Sequence, residues 1–342
     1  MRWLGWLAGI GAVLWSGLWY GGSVLIHDGA EGWFQQQAAQ GITAEKTALA
    51  VTGFPGRFDL GITGLRLADP ATGTGWLAPE LHVFAQSWKP WHLTAALPPT
   101  QTVTLPGETV TVTGQALAAT LGSAPSPDVP LTEVTLTGDR LDLRSDAGWT
   151  LGLGEFAVTL RVDPDSPPGG YLLTFDLAPL TPDPALLARV RAVTLPDLPP
   201  PDFPDAVDTL AGTIHLQFSA PLDRHAADRP PLLNTVEIAE AGFTWGQLSL
   251  AATGTVQADA QGFAAGRIEL ALTNWDRLPG LLVASGAVQP GVGPTVGNML
   301  RALAGQTADP AVLRLPLVLQ DGRMSLGPFP LGPAPQMHPP TG

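Results

Sequence analysis

Apolar and polar residues alternate along most of the chain after residue 40, and this pattern predicts β-strands that bury one face. Residues 58–62 alternate strictly, but Leu65 and Leu67 continue one position out of phase, with Gly64 at the shift. A similar phase change falls at Gly154. Such a change reverses the buried face unless a bend or bulge absorbs it, and glycine suits both devices. We therefore expect bent strands.

The same period recurs over the rest of the chain. Further alternating runs lie at 110–112, 134–136, 141–143, 149–153, 156–160, 171–175, 214–218, 248–250, 268–272 and 313–319. Helical patterns are few: Asp183 and Pro184 fit the N-cap and first position of one helix, and 276–288 and 296–304 are two other candidates. The predicted fold is mainly β, with antiparallel, curved or bent sheets in two lobes and a few short helices.

Proline marks the predicted division between the lobes. Five prolines fall between Leu195 and Asp205, a composition typical of a stiff linker. The predicted segments are a membrane anchor at 1–27, a first β-rich lobe at 28–194, the linker at 195–206, a second β-rich lobe at 207–334 and a disordered tail at 335–342.

The N-terminus carries an apolar run that predicts one transmembrane helix. Trp3–Ile26 has 24 residues and no charge, and a helix needs about 20 residues to span a bilayer. Arg2 precedes the run and acidic residues follow it, so the positive-inside rule places the N-terminus in the cytoplasm and the bulk of the chain outside the inner membrane. A cleaved signal peptide is the alternative, because Gly21–Ser23 offers small residues for cleavage.

Composition removes several classes of function. The chain has no cysteine, only 14% charged residues and a net charge of −13. Without cysteine there are no disulfides, thiol nucleophiles or cysteine-ligated metals. The acidic balance argues against a nucleic-acid partner, because phosphate backbones are bound by concentrated Lys and Arg.

Residues that carry chemistry in other proteins form no recognised pattern here. The histidines lack the i, i+4 spacing of a helical metal site, and the sequence contains neither a Gly-x-Ser-x-Gly elbow nor a P-loop. His215 falls on a polar position of its strand and is expected to face solvent. The loop at 223–228 is flanked by proline, and residues 163–165 lack the closing acid of a calcium loop, which indicates a turn. We predict no enzyme activity, no cofactor and no metal site.

An aromatic cluster is the candidate surface for a ligand or partner. It consists of Trp76, Phe84, Trp88 and Trp91. Large rings with a polar edge favour exposed binding surfaces. The alternative is a corner of the hydrophobic core capped by these rings.

Several short runs resemble a bacterial family called domain of unknown function 2125. They are Gly53–Leu60 (GFPGRFDL), Leu67–Pro70 (LADP), Trp76–Pro79 (WLAP), Phe84–Pro90 (FAQSWKP), Leu97–Pro99 (LPP) and Asp321–Phe329 (DGRMSLGPF). The resemblance implies a protein of the bacterial envelope that is anchored in the inner membrane, faces the periplasm and has no assigned activity or catalytic residue. The chain also has a looser likeness to AsmA-like envelope proteins, which are associated with lipid movement.

Two functions remain open from the sequence. In the first, the long aliphatic faces of the strands leave a groove that binds an apolar, lipid-like ligand. In the second, the faces form a closed core, and the protein is a structural or interaction component of the envelope. The predicted partners are the membrane, a lipid ligand or an envelope protein, and no nucleic acid.

Overall fold

The computed structural model describes residues 2–177, 179–195, 202–226, 228–286, 288–305, 311–327 and 329–339, without the side chains of residues 2–11 and 329. The predicted linker residues 196–201 and tail residues 340–342 lie outside this described part. The chain divides into two compact units. Unit 1 comprises Met1–Pro125 and Val134–Gly148, and unit 2 comprises Ser126–Glu133 and Trp149–Gly342.

Unit 1 contains one long helix and an antiparallel sheet. The elements are α1 (Arg2–Ala39), β1 (Thr43–Glu45), β2 (Ala48–Thr52), β3 (Arg57–Asp69), β4 (Thr74–Gln86), β5 (Lys89–Ala96), β6 (Thr100–Leu105), β7 (Glu108–Gln115), β8 (Ala118–Ser123), β9 (Leu131–Gly138), which crosses the division, and β10 (Arg140–Ser145). The long strands β3 and β4 pair along their length. Strand β3 also pairs with β1 and β2. Strand β4 also pairs with β5 and β6; β8 follows β5, whereas β7 and β10 follow β6.

The apolar face of the unit 1 sheet lies under α1. Phe34 of the helix is 5% exposed and packs with Ile62, Leu65 and Leu81 of β3 and β4. Lys46 lies over the Phe34 ring, 4.3 Å from its centroid. The helix therefore forms the roof of this core.

The N-terminal half of α1 is also held by the sheet. Trp19 stacks on Phe58 with ring centroids 5.5 Å apart, and its indole N–H donates to the Arg57 carbonyl at 2.9 Å. Gly22 lies so close that a Cβ at this position would be 2.8 Å from Phe58 Cζ. Helix α1 already meets unit 1 at Trp15, whose indole N–H donates to the Pro55 carbonyl at 3.2 Å. The anchor boundary at residue 27 stays a prediction.

Helix α1 continues past residue 27 and runs unbroken to Ala39. Among the described residues, no helix carries an apolar stretch long enough to cross a membrane.

Unit 2 contains a longer antiparallel sheet and three short helices. Its elements are β11 (Thr150–Leu153), β12 (Phe156–Val162), β13 (Gly170–Asp176), β14 (Leu180–Thr181), α2 (Pro184–Ala192), β15 (Thr209–Phe218), β16 (Leu233–Trp245), β17 (Leu248–Ala258), β18 (Ala264–Thr273), a 3-10 turn (Trp275–Arg277), α3 (Leu278–Ala284), α4 (Gly293–Ala304), β19 (Val312–Gln320), β20 (Arg323–Leu326) and β21 (Phe329–Pro333). Nine strands pair in the order β12, β13, β15, β16, β17, β18, β19, β20 and β21. Each pair is antiparallel.

Three helices and the C-terminal segment cover parts of the apolar face of unit 2. Helices α2 and α3 build a core around Val190, Phe203 and Trp245. Helix α4 builds a second core on β18 and β19, with Leu300 against Leu313. The segment after β21 contributes a third patch on β17–β20.

The mainly β, antiparallel architecture is confirmed. The predicted bend at Gly64 falls inside β3, where its φ of +65° and the side chain of Thr47 exclude other residues. The phase change at Gly154 separates β11 from β12. Asp183 caps α2 as predicted, because its carboxylate accepts from the backbone N–H groups of Ala185 and Leu186.

The compact units divide at a different place from the predicted lobes. The described part of the predicted linker packs onto unit 2: Phe203 is 2% exposed and lies 4.4 Å from the Trp245 ring, whose N–H donates to the Pro204 carbonyl. Strand β13 also pairs with β15, which joins segments from both predicted lobes in one sheet. The described residues of the proline-rich segment therefore pack against unit 2 instead of forming a free linker.

The predicted disordered tail needs a correction as well. The Pro335 carbonyl accepts from Ala264 N–H at 2.9 Å, and Met337 N–H donates to the Gly262 carbonyl at 2.8 Å. Met337 packs on the third apolar patch. Residues 335–338 are therefore an ordered part of unit 2, because backbone hydrogen bonds tie them to the β17–β18 turn.

Candidate functional site

The register of the unit 2 sheet assembles aliphatic side chains into a continuous row on one face. Cross-strand partners follow one another across the sheet: Leu160, Leu173, Ile214, Ile238, Gly254, Ile268, Leu317 and Leu326. Flanking rows on the same face include Phe175 and Leu216. Alternation along each strand keeps polar neighbours on the opposite face.

Cover over this row is uneven. Ile268 and Leu317 pack against the C-terminal patch and Leu326 against the α4 core. Leu160, Leu173, Ile214 and Ile238 on β12, β13, β15 and β16 are half-buried to the same degree, but these four do not belong to the three core patches of unit 2 described above. We call these four residues the apolar strip. Since strands lie about 4.8 Å apart, the strip extends over about 14 Å.

Two glycines beside the strip allow close packing within the sheet. Gly212 lies next to it on β15, and a Cβ there would be 2.7 Å from the Phe175 ring. Gly254 continues the row on β17 with a φ of +149°, and a Cβ would meet the Ile268 backbone at 2.6 Å. The Phe175 ring and the β18 backbone already occupy this space, so both positions exclude larger residues.

The opposite face of the same strands is polar. His215 lies there, and its Nδ1 is 2.8 Å from Oδ2 of Asp163, whose side chain is 5% exposed. The Ser166 hydroxyl donates to the same carboxylate at 2.6 Å. The hydroxyl of Ser166 and then His215 lower the pKa of Asp163. The predicted polar phase of His215 is correct, and sequence reasoning missed its partner 52 residues away.

This cluster does not have the arrangement of a catalytic triad. In a triad, histidine lies between the nucleophile and the carboxylate. Here the carboxylate of Asp163 lies between Ser166 and His215, so the hydroxyl has no base beside it. Residues 164–166 form a turn, as the sequence predicted. The cluster ties the β12–β13 turn to β15.

A second histidine cluster lies on the polar face of unit 1. Asp59 is 6% exposed; it accepts from Arg57 at 2.8 Å, and its Oδ1 lies 3.0 Å from His82 Nδ1. Glu80 lies 2.9 Å from the other ring nitrogen. Hydrogen bonds to Asp59 and then to Glu80 raise the pKa of His82. The charges satisfy one another on a sheet surface.

The four predicted aromatic residues lie in different environments. Trp76 lies at the edge of the unit 1 core, and its N–H donates to buried Gln101 at 2.6 Å. Phe84 lies under the Arg57 guanidinium, 5.3 Å away. Trp91 is half-buried on β5, and Trp88 is 62% exposed in the turn before it. Trp76 fits the core alternative, and Trp88 is the ring available to a partner.

Two surface clefts lie at turns and loops of the described residues. A cleft of about 490 Å³ beside Trp76 is lined by the β3–β4 turn and β6. One of about 480 Å³ lies at the loop around 220–231, which includes the predicted candidates at 223–228. Within the described ranges, no three His, Asp or Glu side chains meet in a geometry that would hold a metal ion.

Residues 19–335 match the model of a family described as "Uncharacterized protein conserved in bacteria (DUF2125)". The chain belongs to this family. The match covers both units and begins at Trp19, the residue whose indole binds the Arg57 carbonyl. The resemblance drawn from the short sequence runs is thereby confirmed. No curated protein and no solved structure matches the chain.

The DUF2125 run Gly53–Leu60 has a structural explanation. It forms the turn from β2 into β3 and the first residues of β3, which contact α1. By contrast, the apolar strip has no local sequence signal of its own. The alternating runs of the sequence contain Leu160, Leu173 and Ile214, but the packing of helices elsewhere on the sheet decides which side chains remain uncovered.

Proposed function

We propose that this protein is held at the bacterial inner membrane by its N-terminal helix, with the bulk of the chain in the periplasm, and that the apolar strip of unit 2 binds an acyl chain. The carrying observation is the row of half-buried Leu160, Leu173, Ile214 and Ile238, which lies outside the three core patches of unit 2. The charge-free run at the N-terminus and the basic Arg2 before it support the anchor and its orientation.

The docked tryptophan shortens the proposed membrane segment. Trp15 donates to the Pro55 carbonyl at 3.2 Å, so α1 meets the turn before β3 already at Trp15. If Trp15 lies near the outer interface, where Trp is enriched, residues 3–15 remain for the hydrocarbon, fewer than the minimum of about 17 residues for a spanning helix. The bilayer accommodates such a short span by local thinning. We therefore propose a short anchor that ends at the contact between Trp15 and Pro55.

The dimensions of the strip suit one acyl chain. Its length of about 14 Å is close to half of the roughly 30 Å hydrocarbon core of a bilayer, which is the depth of one leaflet. Each methylene removed from water contributes about 0.8 kcal/mol, so a chain lying along the strip binds without a charged anchor. The absence of a charged residue in the row agrees with an apolar occupant.

A photolabelling experiment tests this function. The full chain in mild detergent is mixed with a diazirine-bearing palmitic acid, irradiated and digested, and labelled peptides are identified by mass spectrometry. We expect labels on β13, β15 and β16, and we expect Ile214→Glu to remove most of them. Thr255→Glu is the matched control, because it places the same charge on the opposite face of the neighbouring sheet region.

Each result decides between the two functions. Acyl binding by the strip would be contradicted if Ile214→Glu left the amount of labelling unchanged, or if only α1 were labelled. Co-purification of a protein in fixed ratio, lost in Ile214→Glu and kept in Thr255→Glu, would favour the structural role in the envelope.

A further inference from the structure

Two neighbouring turns of unit 1 form one end of its sheet, and this end differs from the rest of the surface. The first turn, 53–56, joins β2 to β3, and the second, 87–88, joins β4 to β5. Arg57 and Gln86 pair directly across the strands, so the turns are adjacent. We call the residues 53–57 and 87–89 the two-turn end.

The apex side chains of the two-turn end are large, apolar and exposed. Phe54 is 53% exposed and Trp88 is 62% exposed. An exposed aromatic pair on adjacent turns is unusual on a soluble face and marks an interaction site. Phe54 also contacts Trp19 of α1 edge-on, with ring centroids 5.4 Å apart, so the apex is continuous with the helix.

Three carbonyl groups of the first turn are already hydrogen-bonded. The Pro55 carbonyl accepts from the Trp15 indole at 3.2 Å and from the Ser87 hydroxyl at 3.1 Å. Ser87 N–H donates to the Gly56 carbonyl, and Arg57 N–H to the Gly53 carbonyl. Paired carbonyls lower the cost of moving a turn from water towards hydrocarbon, where an unpaired group costs several kcal/mol.

The two-turn end carries two basic side chains in a chain whose net charge is −13. The Arg57 side chain is 53% exposed but is paired at 2.8 Å with the buried carboxylate of Asp59, which also contacts His82. Lys89 is exposed and is the basic group available to an anionic surface. Basic groups beside exposed aromatics are the composition that binds an anionic membrane surface.

The exposed side of α1 lies beside the two-turn end. Leu14 and Leu18 are 69% and 68% exposed, and Tyr20 is 69% exposed. These residues lie on the turns of helix that carry Trp15 and Trp19, and the first acidic residue, Asp28, comes two turns later. An uncharged belt therefore runs from the helix onto the two-turn end.

We propose that the two-turn end of unit 1 is a second membrane contact, in which Phe54 and Trp88 insert at the depth of the lipid headgroups while the exposed Lys89 binds anionic phosphates. The occupant is the surface of a phospholipid bilayer. The proposal rests on the membrane anchoring proposed above and adds the part of the folded sheet that faces the bilayer. It is independent of acyl binding by unit 2.

The absence of cysteine provides a clean experiment. Single cysteines are introduced by Phe54→Cys and Trp88→Cys, with Ala71→Cys as the control, since Ala71 is exposed in the turn at the other end of the β3–β4 hairpin. The full chain is reconstituted into vesicles of phosphatidylcholine with phosphatidylglycerol. Flotation of the vesicles reports anchoring separately, and reaction with a membrane-impermeant maleimide reports exposure of each thiol. Rates are normalised to the unfolded chain in urea.

We expect the thiols at 54 and 88 to react several-fold more slowly than the thiol at 71. Adding Lys89→Gln should reduce this protection in vesicles with phosphatidylglycerol and leave it unchanged in pure phosphatidylcholine. Equal rates at all three sites in chains that float would overturn the proposal while leaving the anchor standing. Protection that rises with the ratio of protein to lipid would assign the two-turn end to a second copy and would also overturn it. Failure to float would overturn both the anchor and the proposal, whereas photolabelling of the strip remains a separate readout.

Discussion

The two units present the same problem and solve it differently. Each has a bent antiparallel sheet with one apolar face. In unit 1, one long helix covers that face: Phe34 of this helix is 5% exposed, and Leu65 of the sheet is 2% exposed. In unit 2, three short helices and the C-terminal segment cover parts of the face, and the apolar strip stays half-buried. Alternation along the strands thus specifies which face of a sheet is apolar. The position of the helices determines whether that face becomes a buried core or an accessible binding surface.

Truncation of matched apolar residues gives the sharpest contrast between the units. Phe34→Ala removes a buried ring of α1 and should lower the free energy of unfolding of unit 1 by about 3–5 kcal/mol. Ile238→Ala removes atoms that are already partly solvated and should cost about 1 kcal/mol in delipidated protein. Thermal and urea unfolding of the full chain, with hydrogen exchange of β3 and β16, checks both values. Equal losses would show that the strip is ordinary core.

The fit between helix and sheet in unit 1 can be tested at a single glycine. Gly22→Leu should cost about 1–3 kcal/mol, since its Cβ would clash with the Phe58 ring and overpacking carries a penalty of that size. Gly21→Leu is the control one residue away, because no heavy atom lies within 4 Å of a Cβ at that position. Hydrogen exchange of β2 and β3 reports docking. Similar exchange in both variants would contradict the contact between Trp19, Gly22 and Phe58.

The smallest expected effect is a pH dependence of unit 1. The partners of His82, Asp59 first, raise its pKa above the ordinary value of 6.5. The stabilisation is therefore complete below about pH 6 and is lost as the pH rises through the raised pKa of the folded state. His82 is 43% exposed, so solvent screening keeps the effect small. Unfolding of unit 1 followed between about pH 6 and pH 8 should show a decline that His82→Gln abolishes.

Much of the fold was accessible from the sequence because its determinants are local. Alternation identified the strands, Gly64 the bend and Asp183 the cap of α2. The division into units was not accessible, since it depends on pairings between distant segments such as β10 with β7. The packed linker and tail were missed for a related reason. Phe203 is a core residue because it packs against Trp245, and Met337 because it binds the β17–β18 turn. Both partners are distant in sequence.

The sequence indicated the chemical type of the candidate site but not its position in the fold. Aliphatic strand faces indicated an apolar ligand, but the aromatic cluster drew attention to unit 1. Of its members, only Trp88 keeps an exposed ring at an apex, where Phe54 joins it. Neither Phe54 nor the bond from Trp15 to the Pro55 carbonyl follows from sequence spacing, because the two segments are 40 residues apart.

The path of the chain between the units has a consequence for synthesis. The chain leaves unit 1 at Pro125, contributes 126–133 to unit 2 and returns for 134–148 before it leaves again. During synthesis, β7 is made before its partner β10. The edge of β7 that pairs with β10 therefore stays unpaired until residue 145 has left the ribosome. Such edges template wrong pairings. A fragment that ends at residue 125 lacks β10, so the edge of β7 stays unpaired and the fragment should aggregate. Because unit 1 also contains residues 134–148, one truncation point does not separate the two units.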